Sequence, residues 1–84
     1  MLAKIYVTYK KEVLDPQGKT VNEALKTLGF DAVEDVRVGK YFEIKLGVNH
    51  INTPGGAGEM IDQMCRKLLA NPVIEEYSFE LIDK

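Results

Sequence analysis

Apolar positions recur with a period of two at the start of the chain. Ala3, Ile5, Val7 and Tyr9 fall on one side and Lys4, Tyr6 and Thr8 on the other, which predicts a half-buried strand. The period then becomes helical, with Val21, Ala24, Leu25 and Leu28 forming a stripe and Lys19, Asn22, Glu23 and Lys26 facing away. Asp15 is a candidate N-cap, Pro16 suits a first helical position, and Gly29 supplies the stop. Val33 to Val38 predicts a second strand and Tyr41 to Val48 a third, the latter with Phe42, Ile44, Leu46 and Val48 on its apolar side. A two-residue turn at Gly39-Lys40 would set Val36 and Val38 opposite the polar set. An odd-length loop or a bulge is therefore expected there, aligning Val36 with Phe42 and Ile44.

After a glycine-rich connection from Asn49 to Gly58, a second helical stripe runs through Met60, Ile61, Met64, Cys65, Leu68 and Leu69. Arg66 and Lys67 place positive charge at its C-terminal end. Asn71 can take the left-handed conformation that closes a helix, and Pro72 cannot continue it. A last strand carries Tyr77, Phe79 and Leu81 on one face and Ile74, Glu76, Ser78 and Glu80 on the other. The order β-α-β-β-α-β, with right-handed crossovers, predicts an α+β ferredoxin-like sandwich. That fold is a four-stranded antiparallel sheet with both helices on one face. Its other face would show Lys4, Tyr6, Thr8, Arg37, Tyr41, Glu43, Lys45, Ile74, Glu76 and Ser78, which is neither fully polar nor core-like.

Composition narrows the function classes. The 84 residues are expected to form one domain, 1–84, because a second could not bury its own core. A net charge of −2 and a pI near 5.3 argue against general nucleic-acid binding. No window approaches the roughly 20 apolar residues of a membrane span. The alternation begins at once after Met1, so no signal peptide is expected. Cys65 is the sole cysteine, which excludes an internal disulfide and points to the cytoplasm. So small a core favours self-association, as a dimer or a dimer of dimers.

The candidate chemistry is sparse. Gly18-Lys19-Thr20 has the tail of a phosphate-binding loop, but Val13 stands where that motif needs glycine, so a first helical turn is the better reading. Pro54-Gly55-Gly56-Ala57-Gly58 could cradle an anion with backbone amides, but a plain connector is the better reading. His50 has no second His or Cys nearby to complete a metal site. Cys65 lies among Met64 and Leu68 without a base in sequence reach, the pattern of an inert thiol. Glu75 and Glu76 alternate across a strand and cannot act together on one substrate. No catalytic, cofactor or metal residues are assigned.

Three blocks carry a resemblance. Val13-Leu14-Asp15-Pro16-Gln17-Gly18-Lys19, Val36-Arg37-Val38-Gly39-Lys40 and Met64 to Glu75, the last containing Leu68-Leu69-Ala70-Asn71-Pro72-Val73-Ile74, fall in order over nearly the whole chain. Together they resemble the PurS family, the small subunit of phosphoribosylformylglycinamidine (FGAM) synthase. The loop from Gly47 to Gly58 departs from that pattern. The resemblance implies a non-catalytic subunit that bridges an ATP-dependent synthetase subunit and a glutaminase subunit. The complex amidates formylglycinamide ribonucleotide in purine biosynthesis, with ATP and magnesium held by the large subunit. Candidate partner-binding residues are Asp15, Pro16, Gly18 and Lys19, then Arg37 and Lys40, then Asn71 and Pro72. Three other classes share the β-α-β-β-α-β order. A small-molecule regulatory module would show ligand binding, and an acylphosphatase would need an arginine where Tyr9-Lys10-Lys11-Glu12 stands. An RNA-recognition module would need more aromatics than Tyr6 and Tyr41 and a basic surround.

Overall fold

A computed structural model describes residues 1–47, 51 and 54–83. Strand β1 (Leu2–Tyr9) lies at the centre of a three-stranded antiparallel sheet, flanked by β2 (Lys40–Lys45) and β3 (Glu75–Ile82). Ile5 stands opposite Phe42 on one side and Phe79 on the other. The alternation expected of β1 is observed: Ala3, Ile5 and Val7 are fully buried, whereas Tyr6 is exposed. Helix α2 (Gly56–Met64) and the π-helical turn Cys65–Leu69 cover this inner face. Ile61, Cys65 and Ala70 complete the core, ringed by Phe42, Ile44, Leu46, Met64, Leu69, Tyr77 and Phe79. The Tyr77 hydroxyl donates to Asp62 Oδ1 at 2.6 Å and fastens α2 to β3. Burial pushes the Cys65 thiol up, which keeps it protonated and unreactive.

The four-stranded ferredoxin-like sheet expected from the sequence is not formed. The stretch from Val33 to Val38 is not a strand, and the hairpin with an odd loop at Gly39-Lys40 is absent. Other partners capture its polar groups. The Val38 N–H donates to Asp15 Oδ2 at 2.8 Å, and the Arg37 guanidinium reaches the carbonyls of Val13 (3.2 Å) and Lys11 (2.8 Å). A backbone donor used by a side chain cannot also serve a sheet ladder. β2 pairs with β1 instead, with Lys40 opposite Val7. The strand expected from Tyr41 to Val48 is this β2, which ends at Lys45, and Val48 lies outside the described residues.

Two further corrections concern the second stripe and its end. The i→i+5 bond from Ala70 N to Cys65 O winds the last turn wide, so Leu68 leaves the expected stripe and is 84% exposed. Asn71 is not left-handed, since no described non-glycine residue has a positive φ. It closes the corner with its side chain, Oδ1 accepting from Val73 N at 3.1 Å, while its carbonyl accepts from the Ile74 and Glu75 amides.

Helix α1 (Pro16–Thr27) is correctly capped at both ends. Asp15 accepts from the Gly18 amide at 2.9 Å. Gly29 takes φ +98°, with Gly29 N donating to Lys26 O and Phe30 N to Leu25 O. That pair of bonds is a Schellman closure. Yet α1 has no substantial packing against the sheet or α2. Its apolar stripe is open: Val21 is 40% and Leu28 73% exposed, and Phe30 beyond it 57%. The expectation that both helices cover one sheet face therefore holds for α2 alone. The molecule measures 52 × 28 × 14 Å, and its radius of gyration of 16.5 Å exceeds the value of about 12 Å for a compact chain of this length.

Candidate functional site

The residues singled out between Asp15 and Arg37 meet at the root of α1. Asp15 is 5% exposed and accepts from two backbone amides, Gly18 in its own helix and Val38 in the returning segment. These two bonds, then the Arg37 charge, hold its carboxyl below the ordinary value of 3.8. Gly18 is buried because the Val36 carbonyl packs directly on its α-carbon. Asp15, Gly18 and Arg37 therefore form a clasp that joins the arm carrying α1 to the segment entering β2. Arg37 also stands 3.8 Å from Asp35. Its charge is bound within the chain and is not carried on a protruding hairpin.

Asp15→Asn tests the clasp. Either oxygen of the carboxylate suits an amide donor, whereas an amide nitrogen at one position would face an N–H. The lowered carboxyl pKa means that the stabilisation is complete above the unfolded value of 3.8 and is lost as pH falls through the lower folded value. The variant should melt below the wild type at neutral pH and lose less stability on acidification, as circular dichroism melts from pH 7 to pH 2 would show.

Pro16 and Lys19 are exposed on the first turn. Lys19 borders an open cleft of about 420 Å³ that also involves Lys11, Asn22, Asp35 and Arg37. Asn22 Oδ1 is buried there without a hydrogen-bond partner, a feature the alternation of polar and apolar residues does not signal. Lys40 lies apart from the clasp, 3.8 Å from Glu75, a side chain that is 11% exposed. Asn71 and Pro72 are exposed at the distant corner, where the Asn71 amide donates to Glu75 Oε1 at 2.7 Å. The eight candidates thus occupy the α1 root, the start of β2 and the α2-to-β3 corner, and do not form one pocket.

Among the described residues no group of three metal-ligating side chains occurs, and His50 lies outside them. Thr20 sits inside α1 with its hydroxyl donating to Pro16 O, so Gly18-Lys19-Thr20 is helical and not a phosphate loop. At the start of α2, Gly55 N donates to Glu59 Oε2 at 2.6 Å, which places a carboxylate where an anion would otherwise approach. Among the described residues no helix is long and apolar enough to cross a membrane.

Comparison with known proteins gives these features a family. The PurS model, described as phosphoribosylformylglycinamidine (FGAM) synthase, matches residues 2–83. The FGAM synthase subunit PurS of Synechocystis is 47% identical over 78 residues, covering 93% of this chain and 75% of that protein. The solved structure of Bacillus subtilis PurS superposes with a TM-score of 0.85 at 40% identity and 98% coverage of both chains. A chain in the PurLQS structure from Thermotoga maritima does so with a TM-score of 0.67 at 30% identity, covering 95% of this chain and 96% of that one. The chain belongs to the PurS family of FGAM synthase.

Proposed function

We propose that this chain is the small accessory subunit of FGAM synthase and acts by holding other subunits together. The carrying observation is helix α1, which is capped at both ends and anchored at its root while its apolar stripe stays open. An isolated helix of about 12 residues is marginal in water. A chain built this way gains its last packing from another chain, which suits a subunit. The similarity to a chain of the T. maritima PurLQS assembly supports the same reading.

The proposed partners are a large synthetase subunit, which supplies ATP and magnesium, and a glutaminase subunit, which supplies ammonia. The complex converts formylglycinamide ribonucleotide to FGAM in purine biosynthesis. This chain provides no reacting group and works in the cytoplasm. It also pairs with itself, as a dimer or a dimer of dimers, through the stripe of α1. Pro16, Lys19, Lys40, Asn71 and Pro72 are proposed to touch partners directly, being exposed. Asp15, Gly18 and Arg37 act indirectly by setting the direction of the arm.

Reconstitution tests the role. Glutamine-dependent amidation by purified synthetase and glutaminase subunits should need this protein and should be restored when it is added. Full activity in its absence refutes the bridging role, and ATP hydrolysis by this chain alone refutes its inertness.

A further inference from the structure

The outer face of the sheet carries a cluster with no part in the clasp or the core. Strand pairing sets Tyr41 beside Tyr6, with ring centroids 5.2 Å apart and planes inclined by 35°. Both rings are open, at 42% exposed for Tyr6 and 49% for Tyr41. One step along the same face, Glu43 and Glu80 stand on either side of Lys4. Simple attraction would turn both carboxylates toward that ammonium, yet neither pairs with it. Instead Glu43 Oε1 accepts from the Tyr41 hydroxyl at 2.8 Å, and Glu80 Oε1 from the Tyr6 hydroxyl at 2.9 Å. Each carboxylate is thereby braced beside an aromatic ring, and among the described residues its second oxygen has no partner.

We propose that Tyr6, Tyr41, Glu43 and Glu80 form a receptor for an arginine side chain presented by a different protein chain. A guanidinium stacked on an exposed tyrosine ring gains from the ring's negative face, and its fork of N–H donors reaches a carboxylate at the ring's edge. Lysine fits less well, because its ammonium is compact, strongly hydrated and unable to stack. A nucleic acid is disfavoured, since two carboxylates flank the rings on which a base would lie. A second copy of this chain is also a poor occupant. Its only arginines are Arg37, held by the Lys11 and Val13 carbonyls, and Arg66, which lies 2.9 Å from Asp62. The inference rests on the chain working in an assembly, but its test does not need the other subunits.

The probe is N-acetyl-arginine methylamide, added to the isolated protein and followed by NMR, with the lysine analogue as control. The arginine probe should shift the Tyr6 and Tyr41 ring signals saturably in the millimolar range, and the lysine probe should bind several-fold more weakly. Glu43→Gln with Glu80→Gln keeps an oxygen for each tyrosine hydroxyl and should weaken arginine binding by about fivefold or more. Tyr6→Leu with Tyr41→Leu should remove the preference for arginine over lysine. Equal binding of the two probes, shifts elsewhere on the protein, or an unaffected Gln pair overturns the proposal. So does loss of self-association in the Gln pair by light scattering, which would make a second copy the occupant.

Discussion

Replacing Gly18 by alanine should destabilise the protein, although the same change in an open helix would stabilise it. Glycine costs an exposed helix interior about 1 kcal/mol relative to alanine. Here a β-carbon at position 18 would overlap the Val36 carbonyl oxygen and lie 2.9 Å from Asp15 Oδ2. The first of these neighbours is backbone and cannot swing aside as a side-chain tip does. Relief requires moving the segment that carries Val36 to Val38, which separates the Val38 amide from the carboxylate that caps α1. The overpacking cost of about 1–3 kcal/mol should exceed the propensity gain. On the scale of a domain this small, the melting midpoint should fall by several degrees. A circular dichroism melt reads the result directly. An unchanged or raised midpoint would mean that the 33–38 segment does not bear on α1.

The second large effect concerns the open arm. Val21→Ser together with Leu28→Ser should abolish self-association while leaving the isolated chain folded. Leu28 is 73% and Val21 40% exposed, so their loss removes little that stabilises one chain alone, about 1 kcal/mol for the pair. Buried against a second chain, each would contribute about 1.5–3 kcal/mol. Two such sites on each α1 correspond to at least a hundredfold in the association constant. Light scattering at micromolar concentration should give an oligomer for the wild type and a monomer for the double variant. A wild-type monomer, or a variant of unchanged mass, would show that α1 is covered by something other than a second copy.

The elements governed by local rules were legible in the chain itself. The alternation from Ala3 to Tyr9 gave β1 its buried face, since side chains in a strand point alternately to opposite sides. Asp15, Pro16 and Gly29 marked both ends of α1, because a missing N–H, a side-chain acceptor and a positive φ each have few possible suppliers. Family membership was also legible, in three blocks that read as PurS and that the family model spans at residues 2–83. For the candidate site, single residues were legible but not their grouping. Asp15 was recognised as a cap, yet nothing local indicates that its second oxygen binds Val38 N, 23 residues away.

Competition between distant groups decided the rest. Val33 to Val38 has the composition of a strand, and a propensity cannot record that Asp15 and Gly18 hold this segment at the root of α1. The fourth strand was lost for that reason. Leu68 has helical spacing from Met64, but the wide turn closed by the Ala70 N–Cys65 O bond leaves it in solvent. The stripe of α1 marks an apolar face without naming what covers it. Sequence determined which local structures this chain can form, through capping and periodicity acting within a few residues. Tertiary structure decided which backbone groups pair and which apolar face stays open, because those outcomes depend on groups brought together from far along the chain.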